Sequence, residues 1–204
     1  HKLPVIAVVG DGDCYGEGGN HLIHAARGNH DITVIVHDNG VYGLTTGQVA
    51  PTANKGFKSK STPSGIIERQ INPLGLALIN GATFVGQGFA GDLNHLVSLI
   101  KTGISHQGFS LINVLQPCVT FNKVNTYQYY LQRTYKLDDS YQKEDFKKAL
   151  EKTLEINEEK FPLGVIYEKK SLSYHQQLPQ FRDDQVLIDR KRWVEYDKLI
   201  SSLI

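Results

Sequence analysis

The sequence predicts an α/β fold: an open, mainly parallel sheet flanked by helices. Three observations carry this. Apolar runs rich in β-branched residues recur as PVIAVVG (4–10), DITVIVHD (31–38), TFVGQGF (83–89) and FSLINVLQPC (109–118). Stretches with helical spacing stand between them, namely GGNHLIHAARGNH (18–30), NPLGLALINGA (72–82) and GDLNHLVSLIKTGIS (91–105). The strand runs are continuous rather than alternating, as strands covered on both faces are. Strand and helix in alternation build parallel sheets through crossover units.

Each element has a local reason. PVIAVVG ends at a glycine and reads as a buried parallel strand. Leu22, Ile23, Ala25 and Ala26 form one helical stripe, and Gly28-Asn29 is a stop signal. Asn39 to Gly65 is long, polar and rich in Gly, Thr, Pro and Lys, which points to a functional or mobile loop. Pro73 suits a helix start. Asp92 is a candidate cap for a helix whose apolar face is Leu93, Leu96, Val97 and Ile100. Pro117 ends the last strand of the series.

After Cys118 the character changes. NKVNTYQYYLQRTYKL (122–137) is aromatic and polar, and Tyr127, Tyr129 and Tyr130 read as interface packing. KEDFKKALEKTLEINEEK (143–160) reads as an amphipathic helix with a solvated charged face, PLGVIYE (162–168) as a short strand and RKRWVEYDKLISSL (190–203) as a terminal helix. The expected division is an α/β domain over 1–120 and an α+β extension over 121–204 that packs on the domain and on a partner.

Composition narrows the function classes. The 204 residues carry 22 Lys and Arg against 21 Asp and Glu, a net charge of +1, which is not the profile of a nucleic-acid or membrane-surface binder. The apolar stretches are far too short to cross a bilayer. Two cysteines, Cys14 and Cys118, do not make a disulfide framework, and cytoplasm is the expected location. A core-type strand starting at residue 4 and the absence of methionine predict that the chain is a piece of something longer.

The chemistry concentrates at strand ends. PVIAVVG stops at Gly10-Asp11-Gly12-Asp13, two acids between glycines just before a helix. Glycine-rich strand-to-helix turns bind phosphate, which acids repel. A metal ion between them resolves the conflict. DITVIVHD ends in Asp38-Asn39-Gly40-Val41, and Asp11 and Asn39 stand 28 residues apart, the length of one βαβ unit. In open α/β sheets ligands sit at the carboxyl ends of strands. Asp11, Asn39 and the Val41 carbonyl, with two phosphate oxygens and a water, would complete an octahedral Mg²⁺ site. Taken singly, GDGD reads as a tight turn and DNG as a hairpin turn. The matching distance after two strands favours the metal site.

This arrangement resembles the thiamine diphosphate signature. The resemblance extends further: VVGDGD, GGNHLIHAARGN, DNGVYGLTTGQVAPTA, GFAGD and INVLQPCVTFNKVNTYQYYLQRTYKL, in order from residue 4 to about 170, are similar to the β subunit of archaeal-type 2-oxoacid:ferredoxin oxidoreductases. YGLTTGQ–PT and LQPCVTFN are the specific parts. The resemblance implies a thiamine diphosphate-binding fold in residues 1–120. It implies oxidative decarboxylation of a 2-oxoacid such as pyruvate with coenzyme A to acyl-CoA and CO₂, with electrons passing through a [4Fe–4S] cluster to ferredoxin. By motif match, Asp11, Asn39 and Val41 would hold Mg²⁺. Gly12, Asp13, Gly43 and Leu44 would contact the diphosphate, and Thr45 could donate a hydroxyl nearby. Cys118 would be one cluster ligand, the alternative being a buried structural thiol; the family's other three cluster cysteines lie upstream of the GDG strand.

The resemblance also implies a heterodimer, with an α subunit supplying the glutamate that activates the cofactor. Two positions depart from the family. Cys14 stands where a small residue is usual, and Thr46 where glycine or lysine is expected. His21 and His24 lie three apart on a helix, a spacing that suits packing or hydrogen bonds better than a metal pair. Lys55, Lys58 and Lys60 read as solvated, with coenzyme A phosphates as the alternative. A thiamine diphosphate decarboxylase or synthase without electron transfer is the rival function, and LQPC argues against it. A non-catalytic nucleotide-binding or scaffold domain lacks support, because neither GxGxxG nor GxxxxGK[ST] occurs.

Overall fold

The computed structural model describes residues 3–179 and 195–203. The first strand β1 (Ile6–Gly10) leads into a π-helical turn, Gly12–Glu17, and then α1 (Gly19–Gly28). Next come β2 (Thr33–Asp38) and a two-rung hairpin of β3 (Val41–Tyr42) and β4 (Gln48–Val49). After α2 (Pro73–Ile79), β5 (Phe84–Phe89), α3 (Leu93–Ser105) and β6 (Ser110–Leu115), the extension contributes α4 (Tyr127–Arg133), β7 (Thr134–Lys136), α5 (Phe146–Leu154) and β8 (Phe161–Glu168). The final helix is α6 (Tyr196–Ser201); the portion of the expected terminal helix from residue 190 to 194 lies outside the described residues.

Six strands make one sheet in the order β1-β2-β6-β5-β8-β7. The first four are mutually parallel, β8 runs antiparallel to β5, and β7 is parallel to β8. Two strands from beyond residue 120, β7 and β8, therefore continue the sheet that the earlier strands begin. Helices cover both faces. On one, Val36, Val85, Phe109 and Leu111 pack with Ala26 of α1, Leu78 of α2 and Ala149 of α5. On the other, Ile35, Phe84, Ile112 and Val114 pack with Leu99 of α3. Each buried Val, Ile, Leu or Phe side chain among these stabilises by about 1.5–3 kcal/mol. The glycines of TFVGQGF let α3 approach: a Cβ on Gly88 would stand 2.6 Å from Leu96 Cδ1.

The starts of α3 and α2 are capped by side chains, Asp92 as the sequence suggests and Asn72 in addition. Asp92 accepts from the His95 amide at 3.2 Å and Asn72, before Pro73, from the Gly75 amide at 2.9 Å. Asn29 closes α1 in the left-handed conformation. The expected 143–160 helix is shorter, because Asp145 caps it by accepting from the Lys147 and Lys148 amides, and its last turn tightens to 3₁₀.

Two expectations need correction. PVIAVVG reads as a buried strand, yet β1 pairs with β2 alone and Val8 is 59% exposed. An apolar run does not record how many neighbours a strand has. The loop Asn39 to Gly65 has more order than its composition suggests. Besides the β3–β4 hairpin it carries a second backbone ladder, Gly56 N–H to Ile66 C=O at 2.8 Å and Ile66 N–H to Phe57 C=O at 3.0 Å. Its Val41, Ala53 and Phe57 form a small core of their own.

Candidate functional site

Because β1, β2 and β6 are parallel and in register, their carboxyl ends open on one edge. Asp11 follows β1, Asp38 and Asn39 end and follow β2, and Gln116-Pro117-Cys118 follow β6. Asp11 is 1% exposed. Its Oδ2 accepts the Asn39 amide at 3.1 Å, the Gly40 amide at 2.7 Å and the Thr52 hydroxyl, and its Oδ1 accepts the Gly12 amide at 2.9 Å. The two halves of the motif thus meet at one carboxylate. Asn39 Oδ1 accepts the Val41 amide at 3.1 Å. The bond from Ala50 N–H to Gly40 C=O (3.1 Å) makes Val41 and Val49 a non-hydrogen-bonded pair, so the Val41 carbonyl stays outside the hairpin ladder.

The residues expected to contact phosphate lie on two segments, the π-turn after β1 and the β3–β4 hairpin tip. Gly12 is buried at the start of the π-turn, and Asp13 is exposed with its Oδ2 accepting the Gly10 amide at 3.2 Å. Gly43 has nothing within 4 Å of where a side chain would begin, and Leu44, 98% exposed, and Thr45 stand at the hairpin tip. Thr46, next to them, is held at φ +76°, a conformation that costs a β-branched residue. This set fits a diphosphate carried by a hard cation. Asp11 Oδ1, Asn39 Oδ1 and the Val41 carbonyl are oxygen donors of the kind Mg²⁺ takes, and the rim at Gly43 is open.

The acid pair behind the rim is under electrostatic stress. Burial pushes the Asp38 carboxyl well above the ordinary range, and the nearby Asp11 charge adds to this. Burial also raises Asp11, against the pull of its four hydrogen bonds. Asn113 holds Asp38 from below through Nδ2 at 2.9 Å, and Tyr15 donates to Asn113 Oδ1 at 2.7 Å. A cation at this edge would relieve the repulsion.

Cys118 is half-buried, is not in a disulfide, and packs against the Val41, Ala53 and Phe57 core. The loop that carries it hangs from the cofactor edge: Gln116 N–H donates to Asp38 C=O at 2.8 Å, and Asn122 Nδ2 to Asn39 C=O at 2.9 Å. Cys14 is buried beneath the π-turn, and its thiol is pushed up to about 12 by burial first and by the Asp13 charge second. It faces the core, away from any ligand role.

His21 and His24 are both exposed, and no group of three or more His, Cys, Asp and Glu gathers among the described residues. Lys55, Lys58 and Lys60 are exposed on the loop. Tyr130 is buried with Phe89 and Phe161, and Tyr129, under the Arg133 guanidinium, accepts from Asn54 Nδ2 at 3.3 Å. Tyr130 thus packs α4 on the sheet, and Tyr129 ties it to the loop. Thr52, Asn113, Asn122 and Tyr42 belong to the site although sequence reasoning assigns them no role; Thr52 and Tyr42 lie within the YGLTTGQ–PT stretch, which is the available signal. Clefts of about 630 and 580 Å³ flank β7 and contain none of the expected metal, diphosphate or cluster residues.

Comparison with known proteins agrees with this geometry. Residues 1–114 match the family model "Thiamine pyrophosphate enzyme, C-terminal TPP binding domain", and residues 118–183 match the model of the C-terminal part of the pyruvate ferredoxin oxidoreductase beta subunit. A 2-oxoacid:ferredoxin oxidoreductase subunit beta from Sulfolobus sp is 45% identical over 188 residues, covering 86% of this chain and 61% of that one. The corresponding protein of Saccharolobus solfataricus is 43% identical over 187 residues, with the same coverage of 86% and 61%. The chain therefore spans about three fifths of the length of these curated relatives. Among solved structures, a 2-oxoglutarate:ferredoxin oxidoreductase from Magnetococcus marinus superposes with a TM-score of 0.86 at 34% identity, over 96% of this chain and 67% of that one. The likeness runs over nearly the whole chain, including the stretches that carry the GDG edge, its asparagine half and the LQPC strand end, and the chain belongs to the family of 2-oxoacid:ferredoxin oxidoreductase β subunits.

Proposed function

We propose that the Asp11–Asn39 edge binds thiamine diphosphate through Mg²⁺, and that the chain serves oxidative decarboxylation of a 2-oxoacid with coenzyme A to acyl-CoA and CO₂. The observation that carries this reading is the convergence of the Asn39 and Gly40 amides on the Asp11 carboxylate, at 3.1 and 2.7 Å. Asp11, Asn39 and the Val41 carbonyl hold the metal. Gly12 and Asp13 at the start of the π-turn, with Gly43, Leu44 and Thr45 across the rim, hold the diphosphate.

When bound, the cofactor supplies a nucleophilic carbon and an electron sink for decarboxylation. The residues of this chain place it and neutralise its charge. Cys118 would serve as one thiolate of a [4Fe–4S] cluster, which takes about four. Such a cluster would supply one-electron transfer toward ferredoxin. The open rim over Gly43 is covered by an α subunit, which also contributes the activating acid. The cytoplasm, where such thiolates stay reduced, suits this role.

Titrating thiamine diphosphate and Mg²⁺ into the assembled oxidoreductase tests the reading. Asp11→Ala removes the charged metal ligand, and affinity should fall by roughly 100-fold or more, since losing even a ligand's supporting partner costs 10–100-fold. Unchanged cofactor affinity in Asp11→Ala would sink the assignment.

A further inference from the structure

The turn Gly12–Glu17 is wound as a π-helix, with Gly18 N–H reaching back to Asp13 C=O at 2.6 Å. Such turns are uncommon and need support from outside. Here the support comes from two tyrosines. Tyr15, within the turn, is buried and donates to Asn113 Oδ1 at 2.7 Å. Tyr42, from the β3 strand, lies across the outer side. Its hydroxyl donates to Gly12 C=O at 3.1 Å. Its ring fills the space that side chains on the turn would need. A Cβ on Gly12 would stand 2.3 Å from Tyr42 Cε1, and one on Gly16 would stand 2.5 Å from the Tyr42 hydroxyl oxygen.

Tyr42 sits between Val41 and Gly43, so it belongs to the second half of the cofactor motif while it grips the first. We propose that Tyr42 is a positioning residue for the diphosphate turn. It fixes the π winding and so the direction of the N–H groups at the start of the turn. This rests on the thiamine diphosphate reading above. It also explains Gly16: that position is small because the Tyr42 hydroxyl occupies the place of its side chain, with Pro51 Cγ at 3.3 Å as the next neighbour.

The test is a mutant cycle in the assembled oxidoreductase, reading the apparent thiamine diphosphate Kd at saturating Mg²⁺ and kcat at saturating cofactor. Tyr42→Phe keeps the ring and loses one hydrogen bond, so Kd should rise about 3–10-fold, a larger factor than that by which kcat falls. Gly16→Ala should raise Kd about 100-fold, because its methyl displaces the hydroxyl and unwinds the turn. Combining the two removes the clash, so Gly16→Ala/Tyr42→Phe should bind at least about tenfold more tightly than Gly16→Ala alone.

Penalties that simply add in the double variant overturn the clamp, and so does a Gly16→Ala chain that binds like the wild type. If Gly16→Ala does not assemble, recovery of assembly on adding Tyr42→Phe supports the contact, and no recovery counts against it. A wild-type complex that takes up no thiamine diphosphate overturns the cofactor reading and the clamp together. Ordinary wild-type binding with additive penalties overturns the clamp alone.

Discussion

Thr52 donates its hydroxyl to Asp11 Oδ2, the same oxygen that accepts the Asn39 and Gly40 amides. Three donors on Oδ2, with the Gly12 amide on Oδ1, fix the rotation of the carboxylate. Thr52→Val keeps the shape and removes the hydroxyl. Affinity for Mg²⁺–thiamine diphosphate should fall about 10-fold, as expected on loss of a partner that orients a metal ligand. Isothermal titration of the assembled complex reads this, and a Kd within twofold of wild type contradicts it.

The buried pair Asp11 and Asp38 makes the cofactor-free protein sensitive to pH. Asp38 is raised by burial and by the Asp11 charge from 3.8 to about 7. A raised carboxyl binds more protons in the folded state, so its stabilisation is present at low pH and lost as pH rises from about 4 to about 7. Urea unfolding without cofactor should therefore show stability declining across that window, after other groups are allowed for by comparison with Asp38→Asn. Parallel pH profiles for wild type and Asp38→Asn would refute the claim.

Thr46 is held at φ +76° beside Gly47 at +101°. Left-handed conformations cost a non-glycine residue on the order of 1–3 kcal/mol, and part of that returns on substitution, offset by the entropy of glycine. Thr46→Gly should stabilise the chain by about 1 kcal/mol in denaturant unfolding. A loss of stability would show that the hairpin tip gains more from the threonine side chain than it loses in strain.

The two thiols should behave differently. Cys14, at about 12, carries a thiolate fraction near 1 in 10,000 at pH 8 and is buried, so iodoacetamide should leave it unmodified in the folded chain. Cys118 is half-buried and should react when no cluster is present. In the complete enzyme, Cys118→Ser should keep thiamine diphosphate affinity and lose ferredoxin reduction, because serine is a poor ligand for iron. Ferredoxin reduction at the wild-type rate with a full iron count would make Cys118 a packing residue.

Much of this was legible in the sequence, for identifiable reasons. Asp11 and Asn39 could be paired because their spacing equals a crossover unit and both follow apolar runs. Caps at Asp92 and Asn29 follow from local chemistry that the rest of the chain does not override. The contacts of Thr52, Asn113 and Asn122 were not legible, because each depends on where a loop or a central strand lies in space and leaves no periodic trace. The π-turn was hidden for a related reason: GDCYGE has no propensity that separates it from an α-turn, and what selects the winding is Tyr42, 30 residues away. The edge position of β1 was hidden because burial on two faces and burial on one can both be written in Ile and Val.

The strand order has a bearing on how the chain assembles. β6 lies between β2 and β5, and its register joins Asp38 to Leu115 and Phe89 to Leu115. Until β6 leaves the ribosome, β2 and β5 have no common neighbour, and their apolar faces must wait. At 5–20 residues per second, the roughly 80 residues between the ends of β2 and β6 take on the order of 4–16 s to synthesise. Long-range parallel pairing is slow in itself. Nascent β1–α1–β2 is thus a transient, sticky parallel crossover unit, and a chaperone that shields Val34, Ile35 and Val36 during that interval would raise the yield of folded protein more than one acting after release.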